Sequence, residues 1–385
     1  MKSDIVIVGA GHSGGMLAIA LRRNKYSGSI LLIGEEPHLP YQKPPLSKGF
    51  LLDEIRENSL MFKSLDYYNK NSINLLLSQK VESINPNKQI VTLNDGRKIN
   101  FSKLVFATGS KLKKLKTSSE TKGILYLRTI NDSKEIRKQL KKSKSIIVIG
   151  AGYIGLEISA IARKMGLETT VIEMGPRLMG RVVCSEVSDF LRNKHEKNGV
   201  NFHLNTAVKD IIQYQDKKRV IFTDESYSDA DVIIAGVGIQ PNDGLAKKTG
   251  IVCNNGIVVN SFGETSIKNV FAIGDCSNQY NNIYKKRLRL ESVQNAVDQA
   301  QMLSSFILGN TKLKTTVPWF WSDQYDVKLQ IAGVSSGYDS YEIKGSIDKE
   351  RFSISYKKNN TLIALDAIND SKSFMEAKKI IGSKV

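Results

Sequence analysis

Cysteine is scarce in this 385-residue chain, and the few that occur stand far apart. Cys184, Cys253 and Cys276 form neither a CxxC nor a CxxxxC pair. We therefore expect free, inert thiols, and we expect neither a disulfide framework nor a metal site. For the same reason we do not expect an internal redox-active dithiol.

Long apolar runs are missing as well. No stretch approaches the roughly 18 to 20 apolar residues that a transmembrane helix needs. The chain begins with MKSDIVIVGAG, which leads directly into a predicted strand without a signal or transit segment. We expect a soluble cytoplasmic protein without membrane contact, and the length suits two or three domains.

Acidic residues are outnumbered, with 38 Asp plus Glu against 56 Lys plus Arg and a formal net charge of +18. Such a field attracts anionic partners, either an acidic protein or a nucleic acid. The nucleic-acid alternative lacks aromatic interleaving and a recognised motif, so we do not expect nucleic-acid binding. The basic runs lie at 111–116, 137–144 and 285–289, and solvated surface lysine accounts for most of them.

One motif occurs twice. DIVIVGAGHSGGMLAIALR at 4–22 and SIIVIGAGYIGLEISAIAR at 145–163 each place G-x-G-x-x-G between an apolar β-branched run and a helical pattern. In a strand–turn–helix of this kind, the glycines allow a tight turn and close approach of a pyrophosphate to the helix N-terminus. The glycines are Gly9, Gly11 and Gly14 in the first copy, and Gly150, Gly152 and Gly155 in the second.

An acidic residue follows each copy at the distance expected for a ribose ligand. SILLIGEE supplies Glu35, with Glu36 as the neighbouring alternative, and ETTVIEMG supplies Glu173. The chain is therefore predicted to bind two dinucleotides, and FAD with a nicotinamide is the pair that makes chemical sense. Glu173 favours NADH because it would repel a 2′-phosphate, although Arg177 and Arg181 could soften that preference.

Three more apolar strands end in glycine turns: KLVFATGS (103–110), NVFAIGDCSN (269–278) and DVIIAGVGIQPN (231–242). In flavoproteins with two dinucleotides, the first closes over FAD with its backbone and the second with a carboxylate. We predict two Rossmann-like domains in an α/β chain, the second inserted into the first, and a small α+β C-terminal domain. The predicted boundaries are 1–110 with 243–315 for FAD, 111–242 for NAD, and 316–385 for the C-terminal domain.

The segment LPYQKPPLSK (39–48) contains three prolines, which fix φ and remove N–H donors. It therefore cannot form a regular helix or a central strand, and it delivers Lys48 on a restricted backbone.

The chain resembles the FAD-dependent ferredoxin reductases of oxygenase systems, of the putidaredoxin, rhodocoxin and biphenyl-dioxygenase reductase type, with a glutathione-reductase-like fold. The motifs that carry the resemblance are PYQKPPLSK, YLRTINDS, GAGYIGLE, VIEMGPRLMGRVV, FAIGDC, LRLESVQNAVDQA and PWFWSDQYDVKLQIAG. They run from residue 4 to about 340 and are highly specific in combination.

The resemblance implies roles for individual residues. The expected FAD contacts are Ser13, Glu35, Lys43, Val81, Ala107, Thr108, Gly109, Arg128, Gly274, Asp275 and Val293. Lys48 matches a lysine beside flavin N5, where positive charge stabilises the reduced ring, and Trp321 matches an aromatic residue near the ring. The expected NAD contacts are Ile154, Glu157, Glu173 and Gly238, and Glu157 is a candidate for positioning the nicotinamide carboxamide.

No cysteine lies in 39–50, where a disulfide reductase or a related peroxidase carries one. Electrons are therefore expected to leave to an external acceptor. The first hypothesis is an oxidoreductase, a ferredoxin–NAD(+) reductase, that passes electrons from NADH to an acidic [2Fe–2S] ferredoxin serving a cytochrome P450 or Rieske-type oxygenase. Rubredoxin reductase and NADH oxidase are alternatives, and a basic nucleic-acid-binding flavoprotein of the apoptosis-inducing-factor type is an alternative of another class. We expect a monomer or a weak homodimer.

Overall fold

The computed structural model describes residues 2–117, 123–312 and 316–382. Packing within the chain divides it into two compact units. The first unit comprises Met1–Gln42, Leu60–Lys111 and Gln240–Phe320, and the second comprises Lys43–Ser59, Leu112–Ile239 and Trp321–Val385. The predicted three-domain division stays a prediction. The polar sequence LKTSSETKG (115–123) predicts a crossing between the two nucleotide-binding domains, and of this segment 118–122 lies outside the described residues.

The first unit is built on a seven-stranded sheet. In spatial order its strands are Ile73–Leu76, Ile30–Ile33, Lys2–Val8, Lys98–Phe106, Ile90–Leu93 and Val81–Asn85, with Val270–Ala272 also paired to Lys98–Phe106. The first four strands and Val270–Ala272 run parallel, whereas Ile90–Leu93 and Val81–Asn85 join antiparallel.

Alternate residues of the central strand feed two different cores. Ile5 and Ile7 pack into one hydrophobic cluster, whereas Val6 and Val8 pack into the other. Successive side chains of a strand point to opposite faces, so a parallel strand covered on both faces is apolar throughout. The apolar residues of DIVIV are therefore typical of a central strand that is buried on both faces of the sheet.

The other elements of the first unit are short except for two helices. The helices are His12–Arg23, Leu65–Lys70, Gly244–Lys248 and Val293–Ile307, and Gly274–Cys276 is a single 3-10 turn. A small sheet contains Ile257–Val259, Ser277–Asn281 and Lys286–Leu288. Three further elements include residues of both units: strands Ser110–Leu112 and Ile239–Pro241, which form a two-stranded ladder, and a 3-10 turn over Glu57–Leu60.

The second unit contains a parallel five-stranded sheet. Its strands are Val200–His203, Glu168–Ile172, Ser145–Ile149, Val232–Ala235 and Ile124–Leu125 in spatial order. The helices are Ile130–Leu140, Tyr153–Lys164 and Ser185–Lys197, and an antiparallel meander contains Val208–Tyr214, Lys217–Phe222 and Tyr227–Ala230. The two Rossmann-like folds that the glycine motifs predicted are thus confirmed.

A second sheet of this unit lies near the C-terminal end of the chain. Strands Val327–Gly333, Thr361–Ile368, Arg351–Lys358 and Ser340–Ser346 pair antiparallel in it. Its spatial order is Trp319–Gln324, Val327–Gly333, Thr361–Ile368, Arg351–Lys358 and Ser340–Ser346, and helix Ser371–Ile380 follows. The sequence RFSISYKKNNTLIALDAIN predicts a β-hairpin and SKSFMEAKKII a terminal helix, and both are present. Asn359 and Asn360 both adopt positive φ in the hairpin turn. The other three strands of this sheet, Trp319–Gln324, Val327–Gly333 and Ser340–Ser346, were not predicted from the sequence.

The segment with three prolines forms a 3-10 turn over Pro44–Ser47. Proline is accepted there because the first N–H groups of a helical turn have no partner in any case. Lys48 follows at once and donates its N–H to the Pro45 carbonyl at 3.0 Å. No helix among the described residues has the length and apolar character to cross a membrane.

A buried carboxyl group in the C-terminal sheet generates a stability prediction. Burial raises the pKa of Asp366 from 3.8 to about 7, and the hydrogen bond from the Tyr356 hydroxyl, 2.5 Å from Oδ2, opposes part of that shift. Because the folded pKa is the higher one, this group stabilises the fold fully below pH 3.8, and that contribution is lost as the pH rises towards 7.

Asp366→Asn should therefore gain stability relative to the wild type between pH 4 and pH 8, by at most about 4 kcal/mol for a shift of about three pKa units. Melting temperatures at the two pH values measure this. Asp339→Asn is the control, because the Asn359 N–H lowers the pKa of Asp339 and its variant should lose relative stability as the pH rises. An Asp366→Asn difference that does not change with pH would contradict the assignment.

Candidate functional site

The first glycine motif forms a tight turn with an open side. A Cβ at Gly9 would lie 2.2 Å from the Ala107 carbonyl oxygen, and one at Gly14 would lie 2.0 Å from the Gly9 oxygen. Gly9 also has a φ of +112°. At Gly11, in contrast, no atom lies within 4 Å of the Cβ position, and this residue caps helix His12–Arg23 without a side-chain partner. The turn thus leaves open space at a helix N-terminus, where an anion is favoured.

Several predicted FAD contacts of the first unit meet at this turn. The Ala107 N–H donates to the Val8 carbonyl at 2.8 Å, which places the 107–109 turn beside Gly9. A Cβ at Gly274 would lie 2.5 Å from the Ser13 hydroxyl, so the Gly274–Cys276 turn lies beside the first helix. These segments, which are far apart in the sequence, therefore lie together in the first unit, and their contacts to FAD stay predictions.

Asp275 is held through both its carboxylate and its backbone carbonyl. Ser110 Oγ donates to Asp275 Oδ2 at 2.9 Å, and Arg289 donates to the Asp275 carbonyl at 3.3 Å. The buried Gln299 accepts from the Gly274 N–H at 2.6 Å. Ser110, Arg289 and Gln299 were not predicted as site residues, because their role is visible only when the turn is formed.

Helix Val293–Ile307 begins beside the same turn. Its N-cap, Ser292, accepts a hydrogen bond from Asn295 N–H, and Val293 is the first helical residue. The helix packs against both His12–Arg23 and Gly274–Cys276. Its positive end therefore belongs to the same part of the first unit as Gly9 and Asp275.

The remaining predicted FAD contacts of the first unit differ in their exposure. Glu35 lies at the end of strand Ile30–Ile33 and forms an ion pair of 3.1 Å with Lys80, with both side chains more than half exposed. Glu36 accepts from the Tyr41 hydroxyl at 2.7 Å. Val81 is buried at the start of its strand. Both carboxylates are thus near the end of the second strand, and Glu36 remains the alternative ribose ligand.

The second glycine motif repeats the first in the second unit. A Cβ at Gly150 would lie 2.6 Å from the Gly236 oxygen, and one at Gly155 would lie 2.0 Å from the Gly150 oxygen. Gly152 again has no atom within 4 Å of the Cβ position and caps its helix without a side-chain bond. Ile154, in the first turn of that helix, leaves 41% of its surface exposed.

Glu173 is tied to the second turn. Its carboxylate accepts from Ala151 N–H and from Gly175 N–H, both at 2.8 Å. Arg177 is engaged elsewhere, since its guanidinium donates to the carbonyls of Val183 at 2.5 Å and Gly180 at 2.9 Å. Arg177, one of the two arginines that could weaken a preference for NADH, therefore binds the backbone of the 180–183 loop.

Lys48, which is partly exposed, forms an ion pair with the buried Glu157 in the second unit. Lys48 Nζ lies 2.7 Å from Glu157 Oε2, and the Glu157 side chain is only 3% exposed. The same carboxylate accepts from Ser47 Oγ at 2.5 Å and from Ser322 Oγ at 2.7 Å. From the sequence, Lys48 was predicted to contact the flavin and Glu157 to contact NAD, without a contact between the two. Ser47 and Ser322 were not predicted as site residues, although they lie in the motifs PYQKPPLSK and PWFWSDQYDVKLQIAG.

The other predicted site residues of the second unit lie on separate turns and strands. Lys43 Nζ donates to the Arg128 carbonyl at 3.1 Å. Arg128 immediately precedes Thr129, whose capping box with Asp132 starts helix Ile130–Leu140. Trp321 lies in strand Trp319–Gln324, beside Ser322. Gly238 adopts a φ of +97° and accepts from Lys113 N–H at 3.0 Å.

The three cysteines have no reactive setting. Cys184 and Cys276 are buried, Cys253 is half-buried, and burial raises the pKa of each thiol above its ordinary value. A thiol with a raised pKa is a poor nucleophile because the thiolate is the reactive form. Within the described residues, no group of three His, Cys, Asp or Glu side chains could hold a metal ion.

Both glycine turns fit a dinucleotide. In each, the first and third glycines are required by backbone contacts, whereas a methyl group on the second would project into open space. That space lies at an uncapped helix N-terminus, which is the position that a pyrophosphate takes in this motif.

Residues 3–300 match the pyridine nucleotide-disulphide oxidoreductase family, and residues 319–385 match the reductase C-terminal family. The chain therefore belongs to the pyridine nucleotide-disulphide oxidoreductases and carries the C-terminal domain of the reductases.

The chain is similar to several characterised reductases. It is 37% identical to rhodocoxin reductase of Rhodococcus erythropolis, covering 99% of this chain and 90% of the relative. It is 36% identical to putidaredoxin reductase of Pseudomonas putida (100% and 93%) and 36% identical to a rubredoxin–NAD(+) reductase of the same species (95% and 95%). A solved covalent complex of putidaredoxin reductase with putidaredoxin matches with a TM-score of 0.96 and 35% identity, covering 100% and 94%.

The open second glycine of the NAD turn provides a test of binding without unfolding. Gly152→Ala should fold, because the added methyl meets no protein atom, but it should raise KM for NADH by about tenfold or more by blocking the pyrophosphate. Steady-state kinetics with a dye acceptor measure this. Gly244→Ala, also without a neighbour within 4 Å, is the control. Unchanged KM in Gly152→Ala would contradict the site.

Glu173 provides a test of coenzyme choice. Glu173→Gln removes the negative charge that would face a 2′-phosphate, so the preference for NADH over NADPH, as a ratio of kcat/KM, should fall by about tenfold. Glu168→Gln, on the same strand and exposed, should leave the ratio unchanged. An unaltered ratio in Glu173→Gln would show that another residue sets the preference.

Proposed function

We propose that this protein is an NADH-dependent FAD flavoprotein, a ferredoxin–NAD(+) reductase that passes electrons to a [2Fe–2S] ferredoxin serving a cytochrome P450 or Rieske-type oxygenase. The observation that carries the proposal is the pair of glycine turns, each closed by backbone at its first and third glycine and open at its second. The similarity to rhodocoxin and putidaredoxin reductases over nearly the whole chain supports the acceptor class.

In this proposal the first unit holds the FAD diphosphate and ribityl chain. Gly9, Gly11, Ser13 and Gly14 cradle the diphosphate, and Glu35 accepts from the ribose. The remaining FAD contacts of this unit would be Val81, Ala107, Thr108, Gly109, Gly274, Asp275 and Val293. The convergence of the 107–109 turn, the Gly274–Cys276 turn and helix Val293–Ile307 on the first glycine turn supports the assignment.

The second unit holds NADH. Gly150, Gly152 and Gly155 would cradle its diphosphate, and Glu173 would accept from its ribose. Ile154 and Gly238 would contact the rest of the dinucleotide, and the exposed apolar surface of Ile154 is available for this. Lys43, Arg128 and Trp321 are proposed flavin contacts on the resemblance alone.

FAD, when bound, accepts hydride from NADH and releases electrons one at a time. Lys48 supplies positive charge beside the ring, which stabilises the charge that reduction adds. Glu157 fixes the Lys48 ammonium through a contact of 2.7 Å and is itself fixed by two serine hydroxyls. Its buried position also suits the proposed orientation of the nicotinamide carboxamide.

The docking patch for ferredoxin is proposed from charge. In the basic run 285–289, Arg287 donates to the Val259 and Asn278 carbonyls, and Arg289 is ion-paired with Glu291. Lys285 and Lys286 are exposed and remain for an acidic partner. We further propose that the protein acts in the cytoplasm and that the domains follow the predicted boundaries.

A rubredoxin is the second candidate acceptor, because rubredoxin–NAD(+) reductases are 36% and 35% identical over 95% of the chain. The two acceptors are distinguished by the decisive experiment. Anaerobic mixing with NADH should bleach the yellow protein, and a [2Fe–2S] ferredoxin should then be reduced catalytically with a higher kcat/KM than a rubredoxin. A colourless protein that does not take up FAD would overturn the proposal, and faster rubredoxin reduction would replace the acceptor.

Electrostatic docking predicts a salt-dependent effect of two lysines. Lys285→Gln with Lys286→Gln should lower kcat/KM for ferredoxin by about threefold to tenfold at low salt and by less at 0.5 M salt, since surface charge mainly steers association. Reduction of ferricyanide should not change. Lys217→Gln with Lys209→Gln, a surface pair in the meander, is the matched control. Equal losses in both double variants would reject this patch.

A further inference from the structure

The Glu157 carboxylate lies at one end of a longer hydrogen-bonded chain inside the second unit. Ser322 Oγ, which donates to Glu157, accepts from Gln324 Nε2 at 3.1 Å. Gln324 Oε1 lies 2.8 Å from His195 Nε2, and His195 Nδ1 lies 3.3 Å from the Tyr325 hydroxyl. Ser322 and His195 are fully buried, and Gln324 is 2% exposed.

The donors of this chain all point towards Glu157. An amide nitrogen only donates and an amide oxygen only accepts, so Gln324 Nε2 on Ser322 places Gln324 Oε1 towards His195. His195 must then donate from Nε2 and accept at Nδ1 from Tyr325. Burial lowers the pKa of His195 to about 4, against the contact with Gln324, so the ring is neutral at pH 7 and this single tautomer satisfies both neighbours.

The chain also fixes the strand that carries Trp321. Ser322 and Gln324 are two residues apart and therefore point to the same face of strand Trp319–Gln324, whereas Trp321 points to the other face. A slip by one residue would exchange the faces and bury Trp321 against Glu157. The hydrogen bonds of Ser322 and Gln324 thus specify one register.

We propose that Ser322 and Gln324, anchored by His195, are positioning residues for the reductive half-reaction. They hold Glu157 for its pair with Lys48, and they hold the strand register that presents Trp321. The inference rests on the proposed function, because it takes Lys48 and Trp321 as flavin neighbours.

The primary test removes one hydroxyl. Ser322→Ala should lower the rate of flavin reduction at saturating NADH by about tenfold, because a hydrogen bond to a charged group is lost, and should change KM for NADH less than about twofold. The visible absorption band of the bound flavin should also change shape. Ser322→Thr retains the hydroxyl and should restore both the rate and the band.

Ser188→Ala is the matched control. Ser188 is equally buried, lies on helix Ser185–Lys197 and has no hydrogen-bond partner for its hydroxyl, so its loss should change neither rate nor spectrum. Melting temperatures of all three variants report folding. If Ser322→Ala matched Ser188→Ala in rate and spectrum, the inference would be overturned.

A double-mutant cycle tests whether Ser322 acts through Glu157. In a Glu157→Gln background, Ser322→Ala should cause little further loss, because residues that act through one another are not additive. A further tenfold loss would overturn the proposed route. A wild type that binds no FAD or is not reduced by NADH would instead defeat the proposed function, so the two failures are distinguishable.

The direction of the chain has its own readout. The sequence contains four histidines, so nitrogen NMR of the holoenzyme with labelled histidine can assign His195 by its loss in His195→Gln. The expected state at pH 7 is the neutral tautomer protonated at Nε2. A ring protonated at Nδ1 would reverse the donors and overturn the proposal.

Discussion

Burying the Glu157 carboxylate is the constraint on which much of the second unit depends. A buried charge is tolerated only when an opposite charge and hydrogen bonds replace its lost contacts with water. Removing one partner leaves the other charge buried without compensation for its desolvation free energy. Here the partners come from three separated segments: the 3-10 turn before Lys48, the helix that follows the second glycine motif, and the strand of Ser322. The unit therefore has to bring these segments together before the carboxylate can be buried.

The two glycine turns obey a second constraint, which is steric. In both, the oxygen of the first glycine leaves no room for a Cβ on the third, and the second glycine faces open space. The turns differ in their acidic partners: Glu173 accepts from backbone N–H groups of its own turn, whereas Glu35 is paired with an exposed lysine. One local geometry is thus used twice, and the side chain at the end of the second strand distinguishes the copies.

The parts of this molecule that could be predicted from sequence are those set by local rules. Strand DIVIV, both glycine turns and the Asn359–Asn360 hairpin follow from periodicity and turn chemistry. In the C-terminal sheet, Ser340–Ser346 was missed because it is an exposed edge strand without a regular apolar face. Ser47, Ser322 and His195 could not be predicted as site residues either. Their hydrogen-bond partners come from distant segments of the chain, so their role is visible only in the folded structure.

The thiols of this protein have a consequence for its durability. Reduced flavins that meet dioxygen produce peroxide, and peroxide attacks cysteine through the thiolate. Because burial raises the pKa of all three thiols, little thiolate is available for peroxide to attack. A redox protein that conducts electrons without cysteine chemistry is in this way also shielded from the damage that its reaction can generate.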